Sequence, residues 1–213
     1  RVFADSAGIS DVFDCLTKDF LYPDPDNLVT FLDNHDITRI MYRVKGSARR
    51  FKLALTLLLT TRGIPQILYG TEIGMMGGKD HGTLRADFPG GFPGDSRTAF
   101  TEQGRTNEEN DIFNFTKELL AMRKGYKALS RGRLIHFKPQ KEVYVYFRVL
   151  GDERIMVIIN NSNARQEVDL TRFEHQLEGK RELLDLRSGR ALDLVPRMSV
   201  EVGSTGSPTS PSW

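Results

Sequence analysis

The rhythm of apolar and polar positions changes part-way along the chain. Up to about Tyr126 strand and helix alternate; beyond it the pattern is one of short strands. Leu28-Val29-Thr30-Phe31-Leu32 is rich in β-branched and aromatic side chains and does not alternate with polar ones. Such a run predicts a strand buried on both faces, as in a parallel sheet. A turn-forming Pro23-Asp24-Pro25-Asp26-Asn27 precedes it, and the polar run Asp33-Asn34-His35-Asp36 follows.

Ser47 is placed to cap a helix that runs to about Arg62, with Phe51, Leu55 and Leu58 on one face and Gly63 as its stop signal. Leu53, Leu57 and Leu59 extend the apolar surface almost all round, which predicts a buried helix. Pro65 then opens a second strand, Gln66 to Tyr69, closed by Gly70. Another helix is expected from about Glu108 to Lys124, capped by Asn107 and striped by Ile112, Phe115, Leu119 and Met122. Its acidic first turn and basic last turn oppose the helix dipole favourably. Strand, helix, strand, helix is the grammar of an α/β fold. The Gly-rich connection from Thr71 to Asn107 is too long for an ordinary βα loop, and loops of that length are usually functional or disordered. The functional reading is the preferred one.

After Arg133 the period drops to two. Val143, Val145 and Phe147 alternate with Tyr144, Tyr146 and Arg148, and Gly151-Asp152 forms a hairpin turn to a second strand at Ile155 to Ile159. Val168, Leu183-Leu184, Leu192-Leu194 and Val200-Val202 read as further short strands, together a small antiparallel β-domain of sandwich type. The expected division is therefore α/β over 1–126, all-β over 127–203, and a disordered tail rich in Ser, Pro, Gly and Thr over 204–213.

Composition narrows the partners. The 213 residues include 30 Lys+Arg and 28 Asp+Glu, a net charge of +2, which argues for neither nucleic acid nor an anionic membrane as partner. The longest strongly apolar run, Leu53 to Leu59, is far short of the roughly 20 residues of a membrane span. Cys15 is the single cysteine, so the compartment is not legible from cysteine usage.

The densest polar constellation is Asp33-Asn34-His35-Asp36, at the carboxyl end of the first strand, where α/β sheets and barrels gather catalytic groups. From residue type alone, a catalytic cluster and an Asx-rich turn that satisfies its own backbone are equally good readings. Glu72, just past the second strand, is either a substrate contact or a salt-bridge partner. Gly74 to Lys79 has the wrong spacing for a phosphate loop, with Asp80 where a hydroxyl is needed. His81, His136 and His175 have no partners at metal-ligand spacing, and Asp24 with Asp26 lacks the rest of a calcium loop. No metal site is assigned and no cofactor is evident.

Two motifs then narrow the field. Phe31-Leu32-Asp33-Asn34-His35-Asp36 resembles the strand-seven signature of glycoside hydrolase family 13, the α-amylase family, and Gly63-Ile64-Pro65-Gln66-Ile67-Leu68-Tyr69-Gly70-Thr71-Glu72 resembles its strand-eight segment. They stand in the right order with one helix between them. Leu84-Arg85-Ala86-Asp87-Phe88-Pro89-Gly90-Gly91 is similar to the neopullulanase and cyclomaltodextrinase group within the family. The resemblance implies the C-terminal portion of a (β/α)8 TIM barrel followed by an antiparallel β-sandwich domain, and retaining hydrolysis of α-glucosidic bonds in an α-glucan substrate. It implies that Asp36 is the third catalytic carboxylate, binding sugar hydroxyls as the ring flattens, and that His35 hydrogen-bonds the same ring. Asp80 and Arg85 match the Asp and Arg that hold the next sugar in many members, at a spacing one residue longer. Phe88 and Phe92 could stack on sugar faces, but loop aromatics more often pack a loop onto its own scaffold, and packing is the preferred reading.

The family's nucleophile Asp and acid Glu belong to strands four and five, upstream of the strand-seven motif, and nothing before Leu28 resembles either. A barrel alone needs about 250 residues. The expectation is a fragment of a longer enzyme, inactive alone and self-associating through open barrel edges. The alternatives are a non-catalytic carbohydrate-binding or scaffold protein on a degenerate barrel, and a transglycosylase or isomerase of the same family. Calcium is held in such enzymes through upstream segments and cannot be assigned from these residues.

Overall fold

The structure, a computed structural model, describes Phe3 and residues 8–202. The tail expected to be disordered lies outside the described residues.

Helix α1 (Ser10–Leu16) leads through two single 3-10 turns to strand β1 (Val29–Phe31). Helices α2 (Ile40–Arg43) and α3 (Ala48–Thr60) follow, then strand β2 (Ile64–Gln66). The two strands pair in parallel, Val29 opposite Ile64 and Phe31 opposite Gln66. This is the expected β-α-β unit, with β2 beginning earlier than Gln66 to Tyr69. Pro65 lies inside the strand instead of opening it. Ile64 N–H donates to Leu28 O at 2.9 Å, and alternate residues of a parallel strand bond to one neighbour, so the missing Pro65 donor falls away from β1. The strand pair is also less buried than an apolar run implies: Val29, Phe31 and Ile64 are 55%, 44% and 50% exposed.

Helix α3 starts as expected, the Ser47 hydroxyl accepting from Arg50 N–H at 3.3 Å. Phe51, Leu53, Leu55 and Leu59 are fully buried along it. Gly63 turns the chain into β2 at φ +97°, and a Cβ there would lie 2.7 Å from Leu28 O. Only glycine fits that turn without strain.

The long connection carries a 3-10 turn (Thr71–Ile73) and the short helix α4 (His81–Leu84), and ends at α5 (Asn107–Gly125). The cap of α5 is Thr106, not Asn107. Thr106 Oγ1 accepts from Glu109 N–H at 3.2 Å while Glu109 Oε2 accepts from Thr106 N–H at 2.7 Å, a reciprocal capping box. Ile112, Phe115, Leu119 and Met122 are its buried stripe, as the spacing predicts. Burial alone would raise the Glu109 carboxyl, but the bonds from Arg97 and from Thr106 lower it overall. Arg97 grips Glu109 with both terminal nitrogens and tethers the connection to the helix.

Helix α6 (Lys127–Arg131) stands where only strands were expected. Strands β3 (Arg133–Gln140), β4 (Val143–Leu150) and β5 (Glu153–Asn160) then form an antiparallel sheet in that order, with Leu150 opposite Glu153 across the Gly151-Asp152 turn. Strand β6 (Gln166–Asp169), helix α7 (Glu174–Leu177), strands β7 (Glu182–Leu184) and β8 (Ala191–Asp193), and β9 (Arg197–Val200) follow among the described residues; β6 pairs with β9 and β7 with β8.

The three-stranded sheet is a middle layer. One face, with Tyr144, Tyr146, Ile155, Val157 and Ile159, packs with Phe51, Leu55, Phe115 and Leu119 of the helices. The other, with Val143, Val145, Phe147, Met156 and Ile158, packs with Val168, Phe173, Met198 and Val200. The polar members of β4 are therefore as buried as the apolar ones. Tyr144 and Tyr146 are core residues. Arg148 donates to Thr60 O at 3.0 Å and to Gly132 O at 2.7 Å. Arg123 donates to Leu59 O at 2.8 Å and to Gly63 O at 2.7 Å. Each guanidinium group thus meets a main-chain carbonyl in the last turn of α3, Thr60 O for Arg148 and Leu59 O for Arg123. Burial, reinforced by the neighbouring Arg123 charge, pushes Arg148 down to about 10.

Candidate functional site

Beyond the end of β1, four consecutive polar residues have different tasks. Asp33 is buried at 2% exposure; its carboxylate accepts from Ile40 N–H at 2.8 Å and from the Thr71 hydroxyl at 3.0 Å. It ties the segment after β1 to the segment after β2. The Asn34 side-chain oxygen accepts from Asp36 N–H at 2.9 Å and Ile37 N–H at 3.0 Å, an Asx turn that reverses the chain. That turn leaves His35 and Asp36 in solvent, with side chains 63% and 57% exposed.

Asp36 is engaged through both oxygens. His35 Nε2 lies 3.1 Å from Oδ2, and an Arg85 terminal nitrogen donates to Oδ1 at 2.8 Å. Arg85 Nε also donates to His35 O at 3.2 Å. Arg85 belongs to the long connection, so this contact brings the loop over the end of β1. Pairs this exposed contribute only about 0–1 kcal/mol to stability. Their solvent-facing oxygens and nitrogens are available to a ligand rich in hydroxyls.

The structure brings together His35, Asp36 and Arg85. Asp80 has a different setting: its Oδ2 accepts from Thr83 N–H at 3.2 Å, capping α4. Phe88 packs its ring against Phe100 at 4.6 Å between centroids, while Phe92 stands 59% exposed. Glu72 is half-buried on the 3-10 turn. Among the described residues no group of three or more His, Cys, Asp or Glu side chains is placed to hold a metal ion. No helix among them is long and apolar enough to cross a membrane.

Sequence reasoning overlooked Arg39, which is fully buried beside this group. Its Nε donates to Leu84 O at 3.2 Å, and one terminal nitrogen donates to Tyr69 O at 2.6 Å. The available signal was a cation three residues past Asp36, flanked by Ile37, Ile40 and Met41.

Two family models match the chain in succession: the alpha amylase catalytic domain over residues 16–105 and the cyclo-malto-dextrinase C-terminal domain over residues 134–205. The chain belongs to the α-amylase family, glycoside hydrolase family 13. Its strands β1 and β2 with their helices are part of a (β/α)8 barrel, and an antiparallel β-domain follows. A cyclomaltodextrinase of Geobacillus thermopakistaniensis is 34% identical over 153 residues, covering 70% of this chain and 24% of that protein. Neopullulanase 2 of Thermoactinomyces vulgaris is 32% identical over 174 residues, covering 79% and 27%. Among solved structures, the α-amylase of Geobacillus thermoleovorans complexed with acarbose superposes with a TM-score of 0.77 at 27% identity, covering 95% of this chain and 43% of that one. The chain spans about a quarter of the length of these two curated relatives.

Proposed function

We propose that the chain supplies the sugar-binding part of a retaining α-glucan hydrolase acting on α-1,4 linkages in maltodextrins, cyclodextrins or pullulan. The observation that carries this reading is the exposed Asp36 carboxylate, held between His35 and Arg85 where β1 ends, in a chain of the α-amylase family. Asp36 acts as the third catalytic carboxylate. It accepts hydroxyl hydrogens from the sugar whose bond is broken, and the contact tightens as that ring flattens toward the oxocarbenium-like transition state. A contact stronger in the transition state than in the ground state raises the rate of the chemical step. His35 hydrogen-bonds the same ring. Arg85 and Asp80 hold the next sugar, Asp80 through the oxygen not committed to capping α4.

Retaining hydrolysis needs a nucleophilic carboxylate and an acid/base carboxyl about 5–5.5 Å apart. Nothing before Leu28 resembles the family's motif for either. We therefore assign residues 1–126 to a partial barrel and 127–203 to a structural β-domain, and the chemistry to residues outside this chain. The strand edges left open by the partial barrel favour self-association. Incubation of the purified chain with maltoheptaose tests the division of labour. The expected result is no reducing sugar above the blank; measurable release would overturn it.

A further inference from the structure

Where the long connection reaches Asp36, three consecutive residues, Leu84, Arg85 and Ala86, are bonded to residues at and beyond the strand ends. Arg39 Nε takes the Leu84 carbonyl at 3.2 Å, the Arg85 side chain takes Asp36 and His35 O, and the Tyr69 hydroxyl donates to Ala86 O at 3.1 Å. Arg39 governs the first of these bonds and supports the third. It donates to Tyr69 O at 2.6 Å, and its guanidinium carbon lies 5.0 Å from the centre of the Tyr69 ring, a cation–π contact. Its own N–H donates to Gly77 O at 3.1 Å, and a Cβ on Gly77 would come within 2.6 Å of Arg39 Cγ. The loop is thus shaped around this one side chain.

The placement is costly. Arg39 is fully buried, forms no ion pair among those of the described residues, and its second terminal nitrogen is buried without a partner. A buried cation without a carboxylate stabilises a fold less well than an apolar side chain of its size. Main-chain carbonyls and one ring offset the charge, and all of them belong to segments that frame Asp36.

We propose that Arg39 is a positioning residue for the Asp36–Arg85 pair, its buried guanidinium locking Leu84 and Tyr69 so that Arg85 is presented to Asp36. The proposal rests on the reading of Asp36 and Arg85 as sugar-binding groups, and the test separates the two. In the 15N-labelled chain the Arg85 Nε–H resonance, assigned with Arg85→Lys, reports the bond to His35 O. The amides of Leu84 and Arg85, bonded to Asp80 O and His81 O, report the loop. In Arg39→Met the Arg85 Nε–H and these two amides should exchange with water at least tenfold faster, with the amides of β4 and β5 unchanged. Arg39→Lys, which keeps the charge but reaches fewer carbonyls, should move the same signals by less. The proposal is overturned if Arg39→Met leaves the Arg85 signal and loop protection as they were. It is equally overturned if protection falls uniformly through β4 and β5, or if neither variant folds, since Arg39 would then serve the whole fold. Addition of acarbose to the unsubstituted chain tests the underlying reading: no perturbation at His35 and Asp36 would remove the sugar while leaving the Arg39 lock intact.

Discussion

Asp33 and Asp36 carry the same functional group three positions apart and are used in opposite ways. Asp33 is buried and spends both oxygens on Ile40 N–H and the Thr71 hydroxyl; Asp36 stands in solvent between His35 and Arg85. Hydrogen bonds to a charged group are worth about 1.5–3 kcal/mol each when removal leaves a buried donor unpaired. Asp33→Ala loses two such bonds and should therefore lower unfolding stability by about 3–6 kcal/mol in urea melts. Asp36→Ala should cost no more than about 1 kcal/mol, because exposed ion pairs contribute little. Equal losses would mean that Asp36 is a structural residue after all. The motif was legible in the sequence as a polar run at a strand end, but this division of labour was not. It depends on Thr71, 38 positions away, and on an Asx turn through Asn34 that turns Asp33 inward and Asp36 outward. Arg39 was missed for a related reason: a cation near apolar residues gives no sign that its partners will be distant carbonyls.

Among elements, those legible beforehand are the ones whose signals are local. Ser47 and Gly63 bracket α3, and the stripe of α5 follows from spacing alone. Boundaries slipped where two local signals competed. Thr106 and Asn107 are both good caps, and Glu109 decides for Thr106 by completing the box. Pro65 reads as a strand opener until the register shows which side lacks a donor. Strand β4 was harder still, because its Tyr144, Tyr146 and Arg148 look polar and are buried, Tyr144 beside Phe13 of α1 and the other two on Thr60 of α3.

The docking of α1 on β3 has a pH signature. His136 of β3 lies 4.9 Å from the Phe13 ring of α1, and its Nδ1 is 2.8 Å from the Tyr144 hydroxyl. Burial holds its pKa below the ordinary 6.5, with Arg62 adding to the depression and Asp19 opposing it. Below pH 6.5 the unfolded chain therefore binds a proton that the folded chain resists. Stability should fall as pH drops through 6.5 toward the folded value, and His136 should contribute no slope above 6.5. Thermal midpoints from pH 5 to 8 should show this slope in the native chain and lose it in His136→Gln. An unchanged slope in the variant would assign it to other groups.

For the whole molecule, the two-stranded parallel sheet has few neighbours. Val29, Phe31 and Ile64 expose apolar surface at levels of 44–55%, beside strand edges with no further partner among the described residues. Open edges and exposed apolar faces promote association. Sedimentation velocity across a range of concentrations should show weight-average mass rising with concentration, and a concentration-independent monomer would contradict that expectation. The partial barrel was readable because two family motifs fell in register. How much apolar surface that openness leaves in solvent depends on the pairing of β1 with β2 alone, which no local signal in the sequence carries.

The most direct test asks where an α-glucan analogue binds. Acarbose titrated into the 15N-labelled chain should shift the amides of His35, Asp36 and Arg85 in a saturable manner, and Asp36→Asn should abolish the response. Saturable binding confined to the β-domain, or an undiminished response in Asp36→Asn, would contradict the assignment of Asp36 as the sugar-binding carboxylate.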